Sequence, residues 1–396
     1  MNAITLALRN LLHQRLRTLI SLAGVAFAVL LIFSQLGFLG AVYQTASLLF
    51  DKLDFDLLLT SREYLNLNTP EGFPRQRLAQ ANALVDVESV RPFSVCLGLW
   101  RGPWPHSYPR VDPRRWNILI LGVRPDELHL VFRNSGQSIF RDREELTAFE
   151  TYLARPNAVL IDRRSWPEYG HAEDLRPGAV VELNDQQLEL VGKFEIGTGF
   201  GYNGLLLASE ATLSRTGGMA PNRVTFGLVK LRPGSDPREV SKRLNEALPD
   251  ARAYTREEID AKEADYWVQQ TAVGRFFTLG VAVALLVGVI FVYQMMAADI
   301  RNHLAEYATL KAIGYRDRYL VRVILWQAGL LAVVGFFPGL LASLGIYEWT
   351  REAARIPISM TASRAVLVFL LTMGMCLISG VLAIRKLHSA DPADLF

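Results

Sequence analysis

The sequence contains few of the residues that build catalytic and metal centres. Its 396 residues include two cysteines and six histidines. The histidines show neither HExxH nor HxxxH spacing, no cysteine–histidine cluster has the spacing of zinc ligands, and no GxSxG motif is present. We therefore predict no catalytic, metal-binding or cofactor-binding residue. Cys96 and Cys376 are not expected to form a disulfide, because Cys376 lies inside a long apolar run and Cys96 does not.

A phosphate-binding loop is also absent. No GxxxxGK[ST] segment occurs, which predicts that this chain does not hydrolyse ATP itself. Residues 199–204 spell GxGxxG, but a dinucleotide site would need a helix beginning there and an acidic residue about 20 positions later. The following residues, LLLAS, are typical of a strand, so a surface loop is the favoured interpretation.

Charge is missing from four long apolar runs. No Asp, Glu, Lys, Arg or His occurs in residues 18–50, 276–298, 323–347 and 365–384. Each run reaches the length of about 20 residues that a membrane-spanning helix needs. The first run exceeds the apolar core of a cleaved signal peptide, which is about 7–15 residues, and its surplus is expected to project as a stalk. Spans without ionisable groups argue against an ion-coupled transporter.

Glutamine is the main polar side chain within these runs. It can hydrogen-bond between helices where lipid offers no partner. We predict that Gln35, Gln294 and Gln327 contribute to dimer packing. A ligand contact is the less favoured alternative.

The distribution of lysine and arginine predicts an orientation in the membrane. Positive charge is concentrated before the first run, in segment 299–318 and after the last run, whereas Arg351 and Arg355 are offset by nearby glutamates. Both termini and segment 299–318 are therefore expected in the cytoplasm of a multi-pass inner-membrane protein. The net charge of +3 is too small to suggest binding to nucleic acid.

The long segment between the first two runs predicts an extracytoplasmic α+β domain. Residues 62–165 are rich in Arg, Pro and Trp and are expected to form irregular loops around strands. Further on, AVVEL and QLELVGKFEI flank residues 184–186 with period-two alternation, which is typical of a β-hairpin.

The end of this segment predicts a strand, a helix and a second stalk. The strand is expected at 224–231, and the helix at 236–247 with Asp236 as its cap. Residues 257–270 are expected to be helical and to continue without a break into the second run. The predicted fold class is a membrane α-helical protein with four transmembrane helices and a large α+β domain between the first and second spans.

Segment 299–318, DIRNHLAEYATLKAIGYRDR, has the pattern of a short amphipathic helix. Ile300, Leu304 and Tyr307 fall on one stripe with polar residues outside it. Gly314 provides a helix stop. The pattern alone is equally compatible with a solvated connector and with a helix that couples the spans to a cytoplasmic partner.

The order of an N-terminal amphipathic helix, one span, a large external domain and three spans resembles the MacB/FtsX-type permeases of ABC systems. The most specific part is EYATLKAIG at 306–314, which is similar to the family's segment before the third span. The ending, RKLHSADPADLF, resembles the family's basic tail. Within this type VII family the chain looks closest to the DevC permeases of cyanobacteria, through GVAFAVLLIFSQLGF at 24–38 and PISMTASRA at 357–365.

The resemblance implies a homodimeric permease bound to two copies of a separate ABC ATPase subunit, which would bind the ATP. It also implies a periplasmic adaptor, a TolC-like outer-membrane protein and an amphiphilic cargo drawn from membrane lipid, which in DevC systems is a glycolipid. The ATPase-coupling residues that it implies are Ile300, Leu304, Glu306, Tyr307, Leu310, Lys311, Ile313 and Gly314. Two alternatives stay open: an FtsX-like transducer that moves no cargo and activates an external enzyme, and a lipoprotein-releasing permease.

These patterns also predict domain boundaries along the chain. They are an N-terminal amphipathic helix (1–17), the first span with its stalk (18–50), the α+β domain (51–256), a stalk with the second span (257–298), the coupling loop (299–318), the third span (319–347), a short outer loop (348–363), the fourth span (364–384) and a cytoplasmic tail (385–396).

Overall fold

A computed structural model gives the structure of two compact units. The residues that it describes are 5–9, 15–102, 115–133, 139–169, 175–302, 309, 313–353 and 357–388. The helical unit comprises residues 1–41 and 272–396, and the α+β unit comprises residues 42–271.

The described helices and strands are numbered here in chain order. The helices are α1 (Arg15–Ala46), α2 (Leu48–Lys52), α3 (Gln76–Asn82), α4 (Leu128–Val131), α5 (Arg143–Leu153), α6 (Glu210–Arg215), α7 (Pro237–Ala247), α8 (Arg256–Asp265), α9 (Ala272–Asn302), α10 (Asp317–Ala353) and α11 (Ala362–His388). The strands are β1 (Leu57–Ser61), β2 (Phe73–Pro74), β3 (Val87–Arg101), β4 (Trp116–Val123), β5 (Ala158–Asp162), β6 (Ala179–Leu183), β7 (Gln186–Phe194), β8 (Leu205–Ser209), β9 (Arg223–Val224), β10 (Phe226–Leu231) and β11 (Ala251–Thr255).

Within the part of the chain that the structure describes, four helices are long and apolar enough to cross a membrane. Their candidate spans are Thr18–Ala46, Ala272–Asn302, Arg318–Ala353 and Ala362–Ile384. These helices correspond to the four charge-free runs, so the predicted number of spans is confirmed. The large α+β unit lies between the first and second of them in the sequence, as the predicted fold class requires.

Close approaches between helices hold the helical unit together. A Cβ on Gly24 of α1 would overlap the Phe291 ring of α9, so the glycine lets the two helices meet. Across another pair, Ser379 Oγ of α11 donates to Val289 O of α9 at 2.9 Å. In lipid, where apolar surface gains little by leaving its surroundings, such packing and interhelical hydrogen bonds supply the association energy.

The α+β unit is built on one nine-stranded sheet that partly closes on itself. Its strand order is β11-β1-β10-β3-β4-β8-β5-β7-β6, and β6 also pairs with β3. Six strands, from β3 to β6, therefore form a closed ring, and β10, β1 and β11 extend from it. Strand β3 serves both parts, because residues 87–93 pair with β10 and residues 94–100 pair with β4.

The interior of the ring is a hydrophobic core with members on all six ring strands. Alternation along β4 shows the period of two, since Ile118 and Ile120 enter this core while Leu119 and Leu121 join a second core on the outer face. Trp100 is fully buried inside the ring, and its indole Nε1 donates to Tyr169 O at 2.9 Å. This tryptophan is therefore part of the folded core.

Several local predictions in this unit are confirmed. Strands β6 and β7 pair antiparallel as a hairpin. The turn residues Asn184 and Asp185 have φ of 49° and 63°, the paired positive values that suit a two-residue hairpin turn. Helix α7 is capped as predicted, with the Asp236 carboxylate accepting from Arg238 N at 3.0 Å.

The predicted first stalk is partly wrong. Helix α1 ends at Ala46, and α2 begins at Leu48. Leu49 and Phe50, the last part of the charge-free run, are fully buried in the core of the α+β unit. These apolar residues belong to a domain core, which explains why the run is longer than a bilayer requires.

The prediction that residues 257–270 continue into the second span without a break is wrong. Helix α8 passes into a π-helical turn, Tyr266–Gln270, and Thr271 then adopts an extended conformation with φ of −93° and ψ of 163°. Thr271 Oγ1 donates back to Trp267 O at 2.5 Å. Thr271 N also closes the π-helical turn by donating to Tyr266 O at 3.2 Å. Because the extended conformation of Thr271 interrupts the helical path, α9 begins as a new helix at Ala272.

Candidate coupling sites

The predicted coupling loop, 299–318, is described only at its two ends. Leu304, Glu306, Tyr307, Leu310 and Lys311 lie outside the described residues. Their role as contacts to a partner stays a prediction.

The described ends of this loop differ in exposure. Ile300, in the last turn of α9, is 3% exposed and packs in the core of the helical unit, so its side chain anchors the loop to the spans. Ile313 is 71% exposed. Gly314 has φ of +102°, and among the described residues beyond its two chain neighbours none comes within 4 Å of the position that a Cβ would take. The predicted helix stop at Gly314 therefore has the left-handed conformation that glycine favours.

The three predicted dimer-packing glutamines lie in different surroundings. Gln35 of α1 packs against Gly280 of α9 within one chain. Gln294 is exposed on α9. Gln327 is 2% exposed, which places its side chain inside the four-helix packing of a single chain rather than on a surface open to a second copy. Gln294 is thus the residue of the three whose position suits contact with a second chain.

A second candidate site lies within the α+β unit, where the chain enters and leaves that unit. We call it the chain junction and define it by residues 45–55, 195–204 and 256–270. These three segments are far apart in sequence, but they are held together by a small number of polar contacts.

Arg256 is the strongest link between the incoming and outgoing segments. Its Nη1 donates to Phe50 O at 2.7 Å, and its Nη2 donates to Leu53 O at 3.0 Å and to Phe55 O at 3.1 Å. The guanidinium also lies over the Phe55 ring, 4.0 Å from its centroid. Burial lowers the pKa of Arg256 from its usual value. An arginine stays charged in spite of such a shift. The guanidinium, through its three hydrogen bonds, therefore fixes the start of α8 to the incoming segment.

The incoming segment is also fixed to the sheet. Lys230 Nζ of β10 donates to Asp54 Oδ1 at 2.9 Å and lies 3.4 Å from Asp56 Oδ1. The Asp56 carboxylate in turn accepts from Leu231 N at 2.9 Å. A force on residues 50–56 therefore passes directly to strand β10.

Loop 195–204 is held by a buried aspartate. The Asp162 carboxylate, at the end of β5, accepts from Ile196 N at 2.6 Å, from Gly197 N at 2.9 Å and from Arg164 N at 2.6 Å. Burial raises the pKa of Asp162, and the three backbone hydrogen bonds oppose that rise. The carboxylate fixes the start of the loop through these three backbone hydrogen bonds.

The glycines of loop 195–204 pack against both the incoming segment, 45–55, and the outgoing segment, 256–270. A Cβ on Gly199 would lie 2.5 Å from the Cβ of Thr45, and one on Gly201 would lie 3.0 Å from the Trp267 ring. The loop expected for the GxGxxG segment is present and lies partly at the surface: Gly199 and Gly201 are half-buried and Asn203 is exposed, whereas Tyr202 and Gly204 are buried. These glycines allow close packing, and the strand predicted after them is present as β8.

Sequence reasoning missed Arg256 and Asp162. One local signal was present, because Thr255 and Glu258 form a capping box that marks the start of α8. The carbonyls that Arg256 binds lie about two hundred positions earlier, so no spacing in the sequence connects them.

Comparison with known proteins matches both parts of this architecture. A family described as the MacB-like periplasmic core domain matches residues 18–247. A family described as the FtsX-like permease C-terminal matches residues 278–392. An uncharacterized ABC transporter permease of Methanocaldococcus jannaschii is 21% identical over 357 residues, which cover 87% of this chain and 83% of that protein.

Solved structures with similarity to the chain include two extracytoplasmic regions. The extracellular domain of the noncanonical ABC-type transporter YknZ from Gram-positive bacteria is 12% identical, with a TM-score of 0.34, covering 51% of this chain and 99% of that one. The periplasmic region of MacB from Actinobacillus actinomycetemcomitans is 14% identical, with a TM-score of 0.35, covering 52% of this chain and 90% of that one.

The two family matches are separated by residues 248–277, which include the end of the α+β unit and the start of the second span. One takes in the first span and the α+β unit, and the other takes in the last three spans. With four candidate spans and the α+β unit in this order, the chain belongs to the MacB/FtsX-like family of ABC transporter permeases.

Proposed function

We propose that this chain is the membrane subunit of an ATP-driven exporter that moves an amphiphilic cargo by mechanical transmission. The observation that carries the proposal is the chain junction. There, Arg256 joins the incoming and outgoing segments of the α+β unit through three backbone carbonyls. Because this clamp joins the two segments, the α+β unit would move as one body when either the incoming or the outgoing segment is displaced.

The proposed path of motion follows the covalent chain. An ABC permease acts with an ATPase, and closure of that ATPase would displace segment 299–318. Ile300 lies in the last turn of α9 and is packed among the spans, so α9 would move with it. Helix α9 begins one residue after Thr271, which leads back to the π-helical turn and to α8. The motion would thereby reach Arg256 and the sheet.

The charge-free spans favour this mode of transport over an ion-coupled one. No Asp, Glu, Lys, Arg or His lies in residues 276–298, 323–347 or 365–384, so these runs lack the side chains that usually relay protons or ions. A cargo with an apolar part would instead be taken from the membrane or its surface and moved by the α+β unit. By resemblance to DevC systems, a glycolipid is the proposed cargo.

The proposed assembly contains two copies of this chain and two copies of a separate ATPase subunit, which would hold the ATP. Gln294, exposed on α9, is the proposed polar contact between the two permease chains. A periplasmic adaptor and a TolC-like outer-membrane protein would complete the route for the cargo.

The proposed orientation places both termini and segment 299–318 in the cytoplasm. A cysteine replacing Arg301, which is exposed at the end of α9, should react with a membrane-impermeant maleimide only after the inner membrane is permeabilised. Cys96 and Cys376 are both buried, so the unsubstituted protein serves as the control with little labelling. Labelling of the Arg301→Cys variant in intact spheroplasts would contradict this orientation.

Transport itself is tested with the purified permease and its ATPase in liposomes that contain a fluorescent glycolipid. ATP should drive transfer of the glycolipid from the liposomes to added adaptor, and the reaction should stop when the ATPase carries an inactive catalytic glutamate. Glycolipid-stimulated ATP hydrolysis with no transfer would point to the transducer alternative. Hydrolysis that no amphiphile stimulates would contradict an exporter of this class.

A further inference from the structure

A buried carboxyl group lies in the chain junction and is not used by the proposed path of motion. Glu263, on α8 one turn before the π-helical segment, is fully buried. Its carboxylate accepts a hydrogen bond from Tyr64 Oη and a longer one, 3.4 Å, from Leu67 N. The charged groups that act on it are Lys262 and Asp260, both on α8 itself.

Among the described residues, the titratable side chains that other segments bring close to Glu263 are phenols. The loop after β1 contributes Tyr64, loop 195–204 contributes Tyr202, and the end of α1 contributes Thr45 and Ala46. A carboxylate in such surroundings has little to compensate its charge, because burial in a medium of low polarity disfavours the ionised form.

Two polar atoms around the same cavity lack a partner. Tyr202 Oη and Asn68 Oδ1 are buried and make no hydrogen bond. Both residues line, together with Glu263 and Trp267, a cavity of about 10 Å³. That volume is about what one water molecule needs. The Asn68 oxygen can only accept, so a carboxyl proton or a single water would supply the donor that it lacks, whereas an ionised carboxylate could accept from the Tyr202 hydroxyl but would leave the Asn68 oxygen unpaired.

We propose that Glu263 is a proton-controlled latch of the chain junction, protonated and closed in this structure, and that its ionisation draws water into the cavity and loosens α8, the π-helical turn and loop 195–204. The π-helical turn makes this region suited to such a change, since its wider hydrogen-bond spacing often occurs at functional positions. The proposal stands apart from the proposed cargo and depends only on the geometry of the α+β unit.

The surroundings of Glu263 determine how the stability of the closed chain junction changes with pH. Burial raises the pKa of Glu263 from 4.5 to about 7, and the hydrogen bonds from Tyr64 and Leu67 oppose that rise. The closed junction therefore holds its proton over a range in which the unfolded chain has already lost it. The stabilisation is complete below about pH 4.5 and is lost as the pH rises through about 7. The latch is closed in acid and open in mild alkali.

Hydrogen exchange of the full chain in lipid nanodiscs, between pH 6 and 8, tests the latch. After correction for the intrinsic pH dependence, exchange in peptides covering 195–204 and 256–270 should rise about tenfold over this range. The Glu263→Gln variant, which keeps the shape and carries no charge, should show slow and pH-independent exchange. Glu246, exposed on α7, provides the matched control, and Glu246→Gln should retain the wild-type rise.

Three results would overturn the proposal. One is a wild-type profile that is flat across this range, which is decisive even if Glu263→Gln fails to fold. Another is the same rise in wild type and in Glu263→Gln. The last is loss of the rise in Glu246→Gln. Because the measurement needs neither ATP nor cargo, failure of the latch and failure of the exporter are distinguishable.

Discussion

Replacing Gly314 with proline should abolish ATP-driven transfer of cargo while the four spans still insert. Gly314 has φ of +102°, and proline fixes φ near −65°. The substitution therefore forces a different path on the chain between segment 299–312 and α10. Apart from Gly314 and its two chain neighbours, no described residue comes within 4 Å of the Cβ position, so the expected effect lies in the backbone and in the residue before the proline. ATP hydrolysis should continue, because the ATPase active site is in another subunit.

A milder substitution at Gly314 and a matched substitution at another glycine distinguish a loss of coupling from the effect of backbone strain in general. Gly314→Ala carries a conformational penalty of about 1–2 kcal/mol and should reduce transfer partially. Gly234, in a turn of the α+β unit, also has positive φ, +90°, and open space at its Cβ. Gly234→Ala should carry a similar penalty and leave transfer unchanged. Transfer in Gly314→Pro at the wild-type rate per ATP hydrolysed would show that segment 299–318 is only a connector.

Replacing Arg256 with alanine should lower the free energy of unfolding of the α+β unit by about 3 kcal/mol. The change removes three hydrogen bonds from one charged group to the carbonyls of Phe50, Leu53 and Phe55. Bonds to charged groups contribute about 1.5–3 kcal/mol each, but they are not additive when one side chain makes all of them. For a unit of this size, the loss corresponds to a fall in Tm of about 6–12 °C. The measurement is thermal unfolding followed by tryptophan fluorescence.

Two further variants show whether stability depends on the planar guanidinium group that bonds three carbonyls at once. Arg256→Lys keeps the charge but cannot reach three carbonyls with one planar group, so we expect it to recover less than half of the loss. Arg124 forms ion pairs at 2.8 and 3.1 Å on the exposed surface. Arg124→Ala should lower stability by less than about 1 kcal/mol. Equal losses in Arg124→Ala and Arg256→Ala would contradict the role of Arg256 as the clamp of the junction.

The parts of the fold that the sequence predicts are those with a local signal. Four charge-free runs mark the spans, because a charge inside the bilayer is costly. The hairpin of β6 and β7 follows from alternation around a two-residue turn, and α7 follows from its cap at Asp236. The stop at Gly314 is likewise a local property, since few other residues accept a positive φ.

Closure of the sheet leaves no such signal. Strand β3 changes partner from β10 to β4 along its length, and β6 returns to it from the far end of the ring. These pairings depend on contacts between residues that are distant in the sequence. The Arg256 clamp and the Asp162 support of loop 195–204 are hidden for the same reason.

Two errors arose where a local sequence pattern is compatible with more than one structure. Leu49 and Phe50 extend a charge-free run, but they fill the core of the α+β unit. Residues 257–270 contain no proline or glycine, yet Thr271 ends the helical path. A missed helix, α5, did carry a local signal, because Asp142 accepts from Glu145 N at 2.8 Å in a helix cap. The Arg- and Pro-rich surroundings concealed that pattern.

In the proposed mechanism, motion at segment 299–318 reaches the α+β unit through the chain junction. The most direct measurement is hydrogen exchange in peptides covering 195–204 and 256–270, in the permease–ATPase complex at fixed pH, with ADP and with ATP and vanadate. We predict that the trapped ATP state changes exchange in both peptides in the wild type, and that Gly314→Pro removes the change while the ATPase stays bound. Identical exchange in the two nucleotide states of the wild type, or an unchanged response in Gly314→Pro, would contradict transmission through this path.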